Sequence, residues 1–124
     1  MVEWVEYIDH AFAIKIANQL VYGSPIPKAV KIRIEGDFGT IEVTPQSKEK
    51  TSGQNDKYWE GAKFIYNDDT LEARTYNTVA LIDEDNNTIF DIAISESKTE
   101  DEIGHFEVEL EVSYDIVCII PITE

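Results

Sequence analysis

Residues 104–120, GHFEVELEVSYDIVCII, contain the pattern that decides the fold. Apolar residues occupy every second position from Phe106 to Ile120, and polar residues, mostly glutamate, fill the first positions between them. Because successive side chains of a strand point to opposite faces, this alternation predicts one long strand with an apolar face and a wet face. At its C-terminal end Val117 and Ile119 make the second face apolar too. That end is therefore expected to be covered on both sides, by the domain itself or by another chain. Unless the arm of residues 2–8 folds over it, we expect an interface with a neighbouring subunit, formed by Val117, Ile119 and Ile120.

An amphipathic helix is predicted for residues 9–22. Asp9 is a suitable N-cap and Gly23 a suitable C-terminal residue, and the proline that comes after it prevents continuation. At about 100° per residue, one broad face is apolar, and we expect it to cover one face of a sheet from Phe12 to Val21. Residues 2–8 do not extend this helix and are expected to form a docking arm or a short strand.

The rest of the chain alternates between short apolar strands and polar turns. Residues 45–57 contain no apolar side chain except the proline that begins them, so we predict a mobile loop there. Asn77 is expected to mark a bulge or a bend in a long strand. The remaining predicted strands cover residues 29–35, 41–43, 58–66, 71–82 and 88–95.

These features predict a single α+β domain over residues 1–124. It is expected to be mainly β, with an antiparallel sheet or a two-sheet β-sandwich of about six or seven strands and one N-terminal amphipathic helix.

The charge balance restricts the partners. The chain has 25 acidic and 10 basic residues, a formal net charge of −15 and a pI near 4.3. Phosphate backbones and anionic membranes repel such a surface, so we expect neither nucleic acid nor membrane as a partner. A solvated acidic surface is the simplest interpretation, and a basic protein partner or divalent cations are the alternatives.

Cysteine content and the N-terminal segment bear on location. Cys118 is the only cysteine, which excludes an internal disulfide and a cysteine-based zinc site. The acidic start of the chain lacks the basic and apolar segments of a signal peptide, and no apolar run has the length of a membrane span. We expect synthesis in the cytoplasm, with incorporation into a virion as a further destination.

The acidic stretch at residues 83–87 begins like a calcium loop. However, Thr88 and Ile94 stand where that loop needs glycine and glutamate. A hairpin turn is therefore the better interpretation.

The glutamates at positions 107, 109 and 111 share one face of the last strand. Paired carboxylates can exchange protons where their surroundings differ, but nothing apolar shields these three, so we expect them to be solvated. Lys31 and Arg33 would lie across from them if their two strands pair.

The two histidines, at positions 10 and 105, have no catalytic or metal-binding companions in the sequence. Together with the failed calcium pattern, this leads us to expect no enzyme activity, no cofactor and no metal.

Aromatic residues offer another kind of site. Tyr58, Trp59 and Tyr76 are candidates for an aromatic binding surface on a sheet, with core packing expected for about half of such residues.

The order of parts resembles virion proteins of the phage tail-fibre or tail-collar type. The resemblance lies in the helix HAFAIKIANQLVYGS of residues 10–24, the pattern of residues 76–85, and the final amphipathic strand of residues 108–116. It implies a non-catalytic structural or assembly protein that acts through protein–protein contacts, including self-association. The alternative is a cytoplasmic binding module that recognises a basic protein or a small ligand through its aromatic sheet face.

Overall fold

The computed structural model describes the backbone of residues 8–53 and 59–113, which form one helix and two antiparallel sheets. A four-stranded sheet has the strand order β2-β1-β5-β6, and a three-stranded sheet has the order β3-β4-β7. Both sheets contribute to one hydrophobic core, so the predicted mainly β sandwich with a single N-terminal helix is confirmed. The elements are α1 (His10–Tyr22), β1 (Ala29–Gly36), β2 (Gly39–Val43), β3 (Ser47–Ser52), β4 (Trp59–Asp68), β5 (Arg74–Asp83), β6 (Thr88–Lys98) and β7 (Gly104–Ser113).

The core lies between the sheets. On the four-stranded sheet, Ile32 of β1 lies beside Leu81 of β5, and both are fully buried. From the three-stranded sheet, Phe64 of β4 and Val108 of β7 belong to the same buried cluster. Burying a large apolar side chain contributes about 1.5–3 kcal/mol, so this double layer is the main source of the fold's stability.

The described part of the long C-terminal strand has the predicted alternation. In β7, Phe106 and Val108 are buried, whereas Glu107 and Glu109 are exposed. The glutamate face is therefore solvated at these two positions, as expected.

β5 is the central strand of the core, and it contains the predicted bulge. In its pairing with β1, Tyr76 and Thr78 lie opposite the consecutive residues Gly36 and Glu35, so Asn77 is the extra residue of the bulge. Beyond it, the side chains from Val79 to Asp83 are all buried, without alternation. A strand covered on both faces needs no polar side.

The prediction of a mobile loop over residues 45–57 is wrong for Ser47–Ser52. This segment is β3, which pairs with β4 from Ser47 opposite Ile65 to Ser52 opposite Glu60. Almost all of its side chains are exposed and polar, so its sequence lacks the apolar alternation from which a strand is predicted. As an edge strand, β3 is held by backbone hydrogen bonds to β4. Charged side chains such as its lysines and glutamate are typical of a sheet edge.

The condition under which Lys31 and Arg33 would lie across from the glutamates of β7, namely pairing of the two strands, is not met. β1 lies between β2 and β5, in the other sheet from β7. Both cations approach Glu42 of β2, with nitrogen–oxygen distances of 3.9 Å from Lys31 and 3.6 Å from Arg33. Lys63 of β4 is the residue opposite Glu109.

The ends of α1 agree with the prediction, but its packing does not. The Asp9 carboxylate accepts a hydrogen bond from the Ala11 amide (2.9 Å), and Gly23 adopts a left-handed conformation (φ 72°). Both caps are as predicted. However, Phe12 is the only buried residue of α1, whereas Leu20 and Val21 are exposed, so the expected cover from Phe12 to Val21 is wrong in its C-terminal half. No helix in the described residues is long and apolar enough to cross a membrane.

Candidate interaction surface

The N-terminal half of α1 is fixed to the sandwich by hydrogen bonds and by packing. The Asp9 amide donates to the Ile89 carbonyl of β6 (2.6 Å). Phe12 enters the core, and Ile16 packs against it one turn later. The Lys15 ammonium donates to the Asp83 carboxylate at the end of β5 (2.6 Å). The first half of the helix is therefore held at the end of the sandwich where β5 turns into β6.

Asp83 organises this attachment. Its side chain is fully buried, and its other oxygen accepts the amides of Asp85 (2.9 Å) and Asn87 (3.0 Å). Burial opposes ionisation, but the hydrogen bonds from Lys15 and these amides, together with the charge of Lys15, outweigh it and lower the pKa of the Asp83 carboxyl. The carboxylate thus closes the hairpin turn and anchors the helix, which agrees with the interpretation of residues 83–87 as a turn.

The chain that comes after Ile16 leaves the sandwich and returns to the same point. Ala29, the first residue of β1, pairs with Asp83. Next to it, the Glu84 amide donates to the Lys28 carbonyl (3.0 Å), and the Lys28 amide donates to a Glu84 carboxylate oxygen (3.2 Å). We call residues 17–28 the projection, since both of its ends are anchored near the β5–β6 turn. With a rise of about 1.5 Å per residue, α1 extends about 9 Å past Ile16.

This geometry explains why apolar side chains of α1 are exposed. Ile14 and Val21 lie on the side of the helix opposite Phe12, and Leu20 lies beyond the last contact with the core. Their exposed fractions are 47%, 70% and 81%. We call Ile14, Ala17, Leu20 and Val21 the helix stripe.

Two further apolar residues extend this surface. Tyr22, at the end of α1, is 78% exposed, and Ile26, in the connection to β1, is 41% exposed. Both lie on the projection, after the helix stripe in the sequence.

The helix stripe lies in the least acidic part of the chain. Residues 10–34 contain no aspartate or glutamate, although the chain has 25. They contain four of its ten basic residues, Lys15, Lys28, Lys31 and Arg33. Three of these cations are paired with carboxylates from other segments, Lys15 with Asp83 and both Lys31 and Arg33 with Glu42, so the distinguishing property of the helix stripe is that its own segment has no acidic side chain.

A buried polar cluster occupies the opposite end of β5. The Asp68 carboxylate accepts hydrogen bonds from Tyr76 (2.6 Å), Arg74 (3.1 Å) and Thr70. Burial raises the pKa of Asp68, but these hydrogen bonds and the charge of Arg74 reverse the effect, and the pKa is lowered overall.

This cluster holds the loop between β4 and β5 in place. The Lys98 ammonium, at the end of β6, donates to the carbonyls of Thr70 and Glu72 in that loop. Most of the polar groups in the cluster are hydrogen-bonded to one another, which stabilises buried polar groups, but the buried Nε atom of Arg74 has no hydrogen-bond partner among the described residues.

The cluster also corrects one sequence prediction. Tyr76 is 2% exposed and belongs to the core rather than to an aromatic surface. Its ring packs edge-on against Phe106, with centroids 4.9 Å apart.

A second polar group lies on the outer face of the three-stranded sheet. His105 Nδ1 is 2.5 Å from Asn67 Oδ1, and His105 Nε2 is 3.0 Å from Glu107 Oε1. These contacts lie at the surface, where water competes with them. Within the described parts of the chain, no group of three or more histidine, cysteine or acidic residues could hold a metal ion.

Most of the other predicted site residues lie outside the described residues. The backbone of Trp59 begins β4, but its side chain is not described. The remaining residues in this class are Tyr58, Val117, Cys118, Ile119 and Ile120, together with residues 2–7 of the predicted arm and residues 54–57 of the predicted loop.

No protein-family model, curated protein or solved structure matches this chain. The resemblance to phage tail proteins therefore stays a hypothesis.

The sequence pattern identifies the residues of the helix stripe as part of an apolar helix face, but it predicts that they are buried against the sheet. Periodicity indicates which residues share a face, and it does not indicate how far the sheet beneath them extends. Two further signals are present in the sequence, namely an apolar face broader than one sheet contact needs and a run without acidic residues from 10 to 34.

Proposed function

We propose that the chain is a non-catalytic structural protein that self-associates and acts through protein–protein contacts, as a virion component of the phage-tail type. The observation that carries this proposal is the exposed apolar surface of α1 and the projection. The virion setting is supported only by the resemblance in the order of the sequence elements.

The exposed apolar area of α1 and the projection can be derived from the exposed fractions of their side chains. With about 200 Å² for a large side chain, the exposed fractions of Ile14, Leu20, Val21, Tyr22 and Ile26 amount to on the order of 600 Å². These side chains are distributed around the helix and along the connection after it. The three large residues of the helix stripe, Ile14, Leu20 and Val21, contribute on the order of 400 Å², which lies within the range of about 300–600 Å² for the largest apolar patch of a typical monomer, a feature that commonly marks an interaction site. Exposing this apolar surface to water costs about 25 cal/mol of free energy per Å² relative to burying it.

The surface is also held in a defined position. The Lys15–Asp83 ion pair and the hydrogen bonds between Lys28 and Glu84 fix both ends of the projection. A surface that is ordered before binding loses less conformational entropy on association. This favours a contact role over a flexible connector.

The mass of the purified chain in solution tests the proposal. We expect a discrete assembly whose mass is a multiple of 14.1 kDa, measured by light scattering and sedimentation and visible as regular particles by electron microscopy. A 14.1 kDa species alone, up to the highest attainable concentration, would contradict self-association.

A further inference from the structure

We infer that the helix stripe binds the same stripe on a second copy of this chain, as an antiparallel pair of α1 helices related by a two-fold axis near Ala17. This inference rests on the proposed function and specifies its interface. In a two-fold interface the same patch is used by both copies, so no second complementary surface is needed.

The spacing of the helix stripe suits a helix pair. Ile14, Ala17 and Val21 succeed one another at intervals of three and four residues, which is the spacing of a helix–helix seam. Ala17 lies between the two larger side chains, and a small residue there allows the axes to approach closely, since the distance between packed helices depends on the side chains at the contact. In an antiparallel pair centred near Ala17, Ile14 of one copy contacts Val21 of the other.

Charge favours a second copy at this position. Two bodies of net charge −15 repel each other over most of their surface. The run of residues 10–34 has no carboxylate, so two copies meet there with the least repulsion between acidic groups. The antiparallel arrangement also places the two sandwiches at opposite ends of the pair, whereas a parallel arrangement would set them side by side.

The area of the helix stripe is that of a small contact. Ile14, Leu20 and Val21 expose on the order of 400 Å² per copy, about half of the roughly 800 Å² per partner in a standard interface. The polar residues of α1 that flank the stripe, including Asn18, complete a rim of the usual kind.

A charge-swap experiment at Ala17 tests the inference. Ala17→Lys and Ala17→Glu each place two like charges at the two-fold axis, so each variant alone should dissociate, with a dissociation constant raised about tenfold or more. An equimolar mixture places lysine against glutamate and should restore pairing. Ala17 is exposed, and lysine and glutamate are good helix formers, so circular dichroism and the melting temperature should stay close to those of the wild type.

Leu71 supplies the matched control. It is 70% exposed and lies in the loop between β4 and β5, at the other end of β5 from α1. Leu71→Lys and Leu71→Glu change the net charge by the same amounts and should leave the mass unchanged.

The outcomes separate this inference from the proposed function. A wild-type mass that is an even multiple of 14.1 kDa, halved by each Ala17 variant and restored by mixing, supports the helix pair. If the Ala17 variants have the same mass as the wild type, or if mixing them does not restore the wild-type mass, the helix pair is wrong. Self-association of the wild type would still be supported. A monomeric wild type would overturn both.

Discussion

At the scale of the residue, single carboxylates hold together parts of the chain that are distant in sequence. Asp68, at the end of β4, connects the loop after it to the start of β5 through Thr70, Arg74 and Tyr76. Phe38 of the β1–β2 turn joins this arrangement, because the Arg74 guanidinium lies 4.4 Å from the centre of its ring. A buried carboxylate of this kind is stable only when its hydrogen bonds are complete.

Removing one of these hydrogen bonds should destabilise the fold. Tyr76→Phe keeps the ring in the core but removes the hydroxyl that donates to Asp68. Since hydrogen bonds to charged groups contribute about 1.5–3 kcal/mol, we expect the free energy of unfolding to fall by ~2 kcal/mol in urea denaturation. Tyr66→Phe is the control, because it removes the same hydroxyl from a ring that is only partly buried against the same core. Equal losses in the two variants would show that the bond to Asp68 contributes nothing of its own.

Residues of this kind are recognisable in the sequence only where their partners are close in the chain. Asp9 is predicted as a cap, since its partner Ala11 is two positions away. The buried position of Lys98 cannot be predicted, because it depends on the carbonyls of Thr70 and Glu72, more than twenty positions earlier. Nothing in the sequence distinguishes Lys98 from the exposed lysines.

At the scale of the element, β3 and α1 differ from expectation for the same reason. A hydrophobic pattern in the sequence predicts which residues are buried. Parts of both elements are held in place by interactions other than the burial of apolar side chains. β3 is held by pairing with β4, and α1 is held by the Asp83 anchor and Phe12. The prediction succeeds for the buried strands β1 and β5 and for the described part of β7, because apolar side chains decide where those strands lie.

The assignment of β3 can be tested by amide hydrogen exchange. An edge strand directs alternate amides toward its one neighbour, so we expect alternating protection along Ser47–Ser52 in spectra recorded by nuclear magnetic resonance. The amides of Lys63 and nearby residues of β4, which has strands on both sides, serve as the internal reference for full protection. Uniformly rapid exchange throughout Ser47–Ser52 would instead support the loop predicted from the sequence.

At the scale of the whole molecule, the net charge of −15 opposes association while the helix stripe favours it. The balance depends on ionic strength, because salt screens the repulsion between the acidic surfaces and leaves the burial of apolar area nearly unchanged.

We therefore expect self-association to strengthen as salt is added. Between about 0.01 M and 0.15 M salt the Debye length falls from about 30 Å to about 8 Å, and sedimentation should show a lower dissociation constant at the higher concentration. Association that weakens over this range would point to attraction between the cations of residues 10–34 and an acidic surface of the neighbour, and would count against a contact between two identical apolar stripes.

The strand order has a consequence for how the chain folds during synthesis. β1 pairs with β5 and β4 pairs with β7, although other strands lie between them in the sequence. Neither sheet can therefore be completed by hairpins between consecutive strands alone. Contacts so distant in sequence slow folding, typically to milliseconds or longer. Translation proceeds at about 5–20 residues per second, so β1 to β4 leave the ribosome seconds before β7 has been synthesised. During that interval the core face of β4, including Phe64, has no Val108 beside it, so the nascent chain exposes apolar surface of the kind that promotes aggregation.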